Sequence, residues 1–203
     1  MSFHDALRAF PFIAILRGVK PDEVVGLAAE LVEAGFRIVE VPLNSPEPLR
    51  SIEALARAFP DILIGAGTVM SAEAVASVQR AGGRLILMPH SNGAVVRAAK
   101  DHALTCVPGV ATPTEAFAAL ANGADALKMF PAEQMPPAVV GAWRAVLPPG
   151  TLLVPVGGIS PDKVEAYRKA GAGGFGLGSA LYKPGMTREQ IRATAQAFAQ
   201  VSV

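Results

Sequence analysis

The sequence alternates short apolar runs with longer segments in which apolar residues recur at helical spacing. Each run is a continuous stretch of residues such as Ile, Leu, Val or Phe, which is typical of parallel strands covered by helices on both faces. Eight such units with no leftover segment favour a closed (β/α)₈ barrel, an α/β fold, over an open doubly wound sheet. The predicted strands are Phe12 to Leu16, Arg37 to Val41, Ile62 to Ala66, Leu85 to Met88, Leu104 to Val107, Asp125 to Met129, Leu152 to Pro155 and Gly174 to Leu177.

Helix start and stop signals lie between the predicted strands. Ser45-Pro46-Glu47 and Ser160-Pro161-Asp162 each place a hydroxyl, a proline and an acid where a helix begins. Thr112 and Thr187 are each followed three residues later by Glu or Gln, which is a capping box. Glycines at the opposite ends allow the left-handed conformation that terminates a helix. They are Gly35, Gly82, Gly123 and Gly171.

Length and composition indicate one globular domain over residues 1–203, without a linker or low-complexity segment. Residues Met1 to Phe10 read as a short amphipathic helix that could plug one end of the barrel. A net charge of +1 and the absence of a long apolar run argue against nucleic-acid and membrane partners. The single cysteine, Cys106, cannot form an internal disulfide, so we expect a cytoplasmic protein.

Lys128 is the most informative polar residue, because it interrupts a strand-like run, Ala-Asp-Ala-Leu-Lys-Met-Phe-Pro. Burial would lower the pKa of its ammonium group from about 10.4 and favour the neutral amine, which attacks carbonyls. The resulting Schiff base permits cleavage or formation of a neighbouring C–C bond. The alternatives are a buried ion pair with Glu40 or Asp125, or a side chain that reaches solvent.

Other polar residues are predicted at the same ends of the strands, where barrel active sites lie. Glu40 can act as a general acid and base, or it can simply pair with Arg17 or Lys128. Arg17 can bind a carboxylate or phosphate through two N–H groups. Thr68 can place a hydroxyl near a substrate carboxylate, or it can have only a turn or cap role.

Two glycine-rich turns follow the last two predicted strands, where barrels often bind phosphate through backbone N–H groups. The candidates are Gly157, Gly158, Gly178 and Ser179, and the alternative is that the glycines only permit tight turns. The histidines are dispersed and show no metal-ligand spacing, so we predict no metal site.

Six motifs in this order and spacing resemble the class I KDPG/KHG aldolase family, and the resemblance covers nearly the whole chain. The motifs are Ile-Ala-Ile-Leu-Arg-Gly, Glu-Val-Pro-Leu-Asn-Ser-Pro, Gly-Ala-Gly-Thr-Val, Leu-Lys-Met-Phe-Pro-Ala-Glu, Val-Gly-Gly-Ile and Gly-Leu-Gly-Ser-Ala-Leu-Tyr.

The resemblance implies a (β/α)₈ homotrimer that cleaves a phosphorylated keto-deoxy sugar acid to pyruvate and D-glyceraldehyde 3-phosphate without a metal or organic cofactor. Lys128 would form the Schiff base and Glu40 would move protons. Arg17 and Thr68 would hold the carboxylate end of the substrate, and Pro89 and Phe130 would form apolar walls. The phosphate would lie at Gly157, Gly158, Gly178 and Ser179.

Two positions depart from the gluconate-type members of that family. Leu43-Asn44-Ser45 stands where those members typically carry Arg, and Val156 stands where they carry Thr. Both departures resemble the branch that acts on 2-dehydro-3-deoxy-6-phosphogalactonate, which is therefore the expected substrate, with Asn44 and Val156 near it. The alternatives are the gluconate epimer or 4-hydroxy-2-oxoglutarate, and beyond them a phosphosugar isomerase or a non-catalytic barrel that binds a phosphorylated ligand.

Overall fold

The computed structural model describes residues 1–201, which form an α/β fold with a curled, all-parallel sheet. Strands and helices alternate after a first short helix. Its strands are β1 Phe12–Ile15, β2 Ile38–Pro42, β3 Leu63–Gly67, β4 Leu85–Leu87, β5 Thr105–Val107, β6 Gly109–Val110, β7 Leu127–Met129, β8 Leu153–Pro155 and β9 Phe175–Leu177. Its helices are α1 Phe3–Ala9, α2 Val24–Glu33, α3 Pro48–Ala58, α4 Ala72–Arg80, α5 Gly93–Asp101, α6 Pro113–Ala121, α7 Pro137–Arg144, α8 Pro161–Lys169 and α9 Arg188–Ala199. None of these helices is long and apolar enough to cross a bilayer.

The strands form two hydrogen-bonded sheets rather than one continuous ring. The larger has the order β5-β4-β3-β2-β1-β9 and the smaller has the order β6-β7-β8. The predicted fifth strand, Leu104 to Val107, corresponds to β5. The two-residue strand β6 was not predicted, and it is separated from β5 by Pro108, a residue without an N–H group to donate to a ladder. On the other side, a single parallel bridge joins Val156, after β8, to Gly176 of β9.

Two apolar layers cover the faces of the curled sheet. The outer layer lies between strands and helices and includes the largest buried aromatic residues. The inner layer contains residues of β1, β2, β3, β4, β5 and β8, together with side chains of α1. Phe3, Ala6 and Leu7 of α1 are buried in it, so this helix covers the end at which the strands begin, as the sequence predicts.

The helix signals are correct at most positions. Thr112 and Thr187 form complete capping boxes, and the four predicted terminating glycines have positive φ. The cap predicted at Ser45 is wrong, because α3 begins at Pro48 and follows Glu47. The Ser45 hydroxyl instead accepts a hydrogen bond from the Gly18 amide at 2.9 Å. Ser45 therefore joins the β1–α2 and β2–α3 loops.

Candidate active site

A cavity of about 360 Å³ opens at the ends of the strands opposite α1. Eight of the predicted site residues line it, and they come from β1, β7, β8 and β9 or the loops that follow these strands. These eight are Arg17, Lys128, Phe130, Val156, Gly157, Gly158, Gly178 and Ser179. The cavity therefore joins the predicted Schiff-base lysine to both glycine-rich turns.

Lys128 is the middle residue of β7. It lines the cavity, although the residue is only 5% exposed. Its backbone is fixed in register with Gly109 on one side and Val154 on the other. Its Nζ atom lies 4.5 Å from the centroid of the Phe130 ring. Burial lowers the pKa of the Lys128 ammonium; the charge of Glu40 opposes that effect and the charge of Arg17 adds to it. Burial thus destabilises the charged ammonium form relative to the neutral amine.

Asp125 does not pair with Lys128, so that alternative from the sequence is wrong. Asp125 accepts hydrogen bonds from Lys100 Nζ and from the Cys106 amide, at 2.6 and 2.8 Å. Among residues 1–201, no carboxylate lies within ion-pair distance of Lys128 Nζ. The lysine is therefore buried without a direct counter-ion.

Glu40 is the central residue of β2 and is 1% exposed. Its Oε2 atom has no hydrogen-bond partner among the described residues. Burial raises the pKa of Glu40 to about 7, although the charges of Lys128 and Arg17 and the backbone of Gly67 act in the opposite direction. Gly67 lies against this carboxylate, and a side chain there would overlap it. Glu40 can therefore both accept and donate a proton near neutral pH.

Arg17 is held by two residues from neighbouring loops. Its Nη1 atom donates to Asn44 Oδ1 at 2.6 Å and approaches Thr68 Oγ1 at 3.4 Å. Thr68 has a φ of 54°, an uncommon left-handed conformation for a β-branched residue. Both partners are uncharged, so the guanidinium charge is not neutralised by an ion pair and can bind an anion.

The two glycine-rich turns present free backbone amides at one side of the cavity. Gly157 and Gly158 have φ values of 109° and 61°, which glycine adopts readily. The amides of Gly158, Ile159 and Ser179 donate to no other group in the described chain. Such amides are suitable ligands for a phosphate.

Pro89, Asn44, Thr68 and Glu40 are predicted site residues that do not line this cavity. Asn44 and Thr68 accept hydrogen bonds from Arg17, which does line the cavity. The charge of Glu40 raises the pKa of Lys128, another residue of the cavity. Pro89 lies against Gly109, the residue paired with Lys128 on the neighbouring strand.

Glu133 lines the cavity and was not predicted from the sequence. Its position two residues after Pro131 in the Lys-Met-Phe-Pro-Ala-Glu motif was the available signal. No group of three potential metal ligands occurs among residues 1–201.

Comparisons with known proteins agree with this geometry. The family model for "KDPG and KHG aldolase" matches residues 3–197. A "Probable 2-dehydro-3-deoxy-6-phosphogalactonate aldolase" from Rhizobium meliloti (strain 1021) is 48% identical, with 90% of this chain and 86% of the relative covered. The "2-dehydro-3-deoxy-6-phosphogalactonate aldolase" of Escherichia coli (strain K12) is 44% identical, with 93% and 92% covered. A solved structure described as "Native KDPGal structure" superposes with a TM-score of 0.93 at 43% identity, covering 94% and 93% of the two chains.

Proposed function

The chain belongs to the KDPG and KHG aldolase family, and from that premise we propose that it is a Schiff-base aldolase that reversibly cleaves 2-dehydro-3-deoxy-6-phosphogalactonate to pyruvate and D-glyceraldehyde 3-phosphate. The observation that carries the proposal is the Lys128 amine, which is buried without a counter-ion, has a lowered pKa and faces the cavity. A lysine held in this state serves as a nucleophile toward a ketone.

In the proposed reaction, the neutral Lys128 Nζ attacks the C2 carbonyl. Loss of water with uptake of one proton from solvent gives a protonated imine, and the final hydrolysis returns that proton to solvent. The Glu40 carboxylate accepts the proton of the C4 hydroxyl as the C3–C4 bond breaks. The electron pair of that bond moves toward the imine and gives an enamine, and the three-carbon aldehyde phosphate leaves. Glu40 then returns a proton to C3, and water hydrolyses the imine to pyruvate and free Lys128.

The groups around the amine are suited to the two ends of this substrate. We assign the carboxylate to Arg17, oriented by Asn44 and Thr68, because the guanidinium has no anionic partner. We assign the phosphate to the amides of the Gly157–Gly158 and Gly178–Ser179 turns. Phe130 and Pro89 are assigned to the apolar surroundings of the imine, which keep water from the amine.

Trapping tests this mechanism directly. Borohydride added with pyruvate should attach a three-carbon adduct to Lys128, detected by peptide mass spectrometry. Lys100, which is paired with Asp125, is the internal control and should remain unmodified. An adduct on a different lysine, or none at all, would refute the assignment.

The choice between C4 epimers is assigned to Val156, which is 5% exposed and lines the cavity between Lys128 and the phosphate turn. Its methyl groups cannot accept or donate a hydrogen bond, whereas a threonine hydroxyl at this place could bind one epimer. Cleavage rates of the two epimers should favour the galactonate compound. Equal or faster turnover of the gluconate compound contradicts the preference.

We also propose that the two sheets are parts of one (β/α)₈ barrel, interrupted at Pro108 and joined by the Val156–Gly176 bridge, in a single domain over residues 1–203.

We further propose a homotrimer that acts in the cytoplasm. Light scattering coupled to size-exclusion chromatography should give three times the chain mass of 20.9 kDa.

A further inference from the structure

Two charged side chains lie on the Gly157–Gly158 turn, and the reaction proposed above uses neither. Lys163, in the first turn of α8, donates from Nζ to the Gly158 carbonyl at 2.7 Å. The Glu133 side chain lies against both glycines, and a methyl group added at either one would collide with it. Lys163 and Glu133 are not joined by an ion pair within residues 1–201. Each charge therefore acts on the turn separately.

Lys163 fixes the orientation of a peptide group in the turn. It lines a second groove that also borders Gly157 and Gly158 but does not include Lys128. In a trans peptide, the carbonyl and the following N–H point in opposite directions. With the Gly158 carbonyl directed to Lys163, the Ile159 N–H is directed to the opposite side. Ile159 lines the active-site cavity, and its amide has no other partner in the described chain.

The bond from Lys163 also makes that amide a stronger donor, because a charged donor on the carbonyl polarises the peptide group. Glu133, by contrast, weakens the binding of an anion at the turn. It lines both cavities, so its negative charge lies near any phosphate bound at the turn. The two side chains thus change the affinity for phosphate in opposite directions without belonging to the imine chemistry.

We propose that Lys163 is a positioning residue that aims the Ile159 amide at the phosphate of the substrate, and that Glu133 limits how tightly this phosphate is held. The inference rests on the proposed function in one respect, since it takes the phosphate to be that of the substrate. A balance of this kind lets the aldehyde phosphate bind and still leave after C–C cleavage.

The experiment uses inorganic phosphate as a competitive inhibitor of the intact enzyme. Lys163→Met should raise its inhibition constant about three- to tenfold, the range expected for the loss of one ordinary hydrogen bond. KM for the phosphorylated substrate should rise in parallel while kcat stays within about twofold. Lys163→Arg should restore most of the affinity, and Glu133→Gln should lower the inhibition constant about two- to fivefold.

Lys169→Met is the matched control, because Lys169 is an exposed residue of the same helix that pairs with Glu165 at 3.0 Å. It makes the same change in net charge and should leave phosphate inhibition unchanged. Equal shifts in the Lys163 and Lys169 variants, or an unchanged inhibition constant with only a lower melting temperature in Lys163→Met, would overturn the proposal. A Glu133→Gln variant that does not bind phosphate more tightly would also overturn it.

Trapping of pyruvate on Lys128 separates this inference from the proposed function, because pyruvate carries no phosphate. Normal trapping in Lys163→Met, together with weaker phosphate inhibition, supports both. Failed trapping in the wild-type protein would refute the aldolase mechanism even where the phosphate shifts occur as expected.

Discussion

Lys128, with Glu40 near it, and the two glycine-rich turns form two regions of one site, but they are built in opposite ways. Lys128 and Glu40 are side chains on strands, nearly excluded from solvent, and their pKa values are moved by burial. The turns after β8 and β9 are partly exposed and offer backbone amides, with glycine conformations in place of side chains. In the proposed mechanism, reactivity would therefore depend on side-chain burial, whereas phosphate binding would depend on backbone shape.

The most severe test of this division is Lys128→Met, which keeps the apolar stem and removes the amine. We expect kcat to fall by about 10⁴-fold or more, because the covalent route is lost. The dissociation constant of inorganic phosphate, measured by titration calorimetry, should stay within about twofold of wild type. A large loss of phosphate binding would show that the two regions are not independent.

Glu40→Gln should reduce kcat by roughly 10²- to 10⁴-fold, the range for loss of a general acid and base. Because burial raises the pKa of Glu40 to about 7, the carboxylate is protonated below that pH and cannot accept the C4 hydroxyl proton. Wild-type kcat/KM should therefore rise with pH through about 7. The residual activity of the variant, measured over the same pH range, should lack this rise; its persistence would assign the proton transfer to another group.

Gly158→Ala changes the other region. An alanine at a φ of 61° and against Glu133 costs about 1–3 kcal/mol, which predicts a roughly 10- to 100-fold weaker phosphate interaction. Pyruvate trapping on Lys128 should be retained. Gly141→Ala is the control, because among residues 1–201 no atom beyond the chain neighbours and backbone of its own helix lies within 4 Å of the added methyl group. Lost trapping in Gly158→Ala would show that the turn supports the amine as well.

The smallest effect is expected at Ser45, which links the Arg17 loop to β2. Ser45→Ala leaves the Gly18 amide without its partner and should lower the free energy of unfolding by about 1 kcal/mol in urea titrations. Ser51→Ala is the matched control, since the buried Ser51 hydroxyl has no hydrogen-bond partner in the described chain. A larger loss in Ser51→Ala would contradict this account of the Ser45 bond.

The strand positions follow from the sequence because buried parallel strands are continuous apolar runs, and each observed strand except β6 begins and ends close to its predicted run. Lys128 and Glu40 stand out because a charged residue in such a run is costly. Strand β6, Gly109–Val110, was not predicted, because the predicted fifth strand ended at Val107. Two residues after a proline form too short a run to be recognised as a strand.

Contacts between distant loops were the hardest to predict. Ser45 has the local pattern of a helix cap, yet its hydroxyl binds Gly18, 27 positions away. Lys163 and Glu133 lie in ordinary helix-start and turn sequences, and only the folded chain brings them to Gly158. Local sequence predicts hydrogen bonds within a turn or helix, but it does not specify which loop crosses another.

Helix α1 closes one end of the interior. Phe3 and Leu7 are buried at the end where the strands begin, and the cavity that contains Lys128 opens at the other end. In the proposed reaction, both products would then leave through that opening. We therefore expect the aldehyde phosphate to leave before pyruvate, and we expect added D-glyceraldehyde 3-phosphate to slow the release of pyruvate.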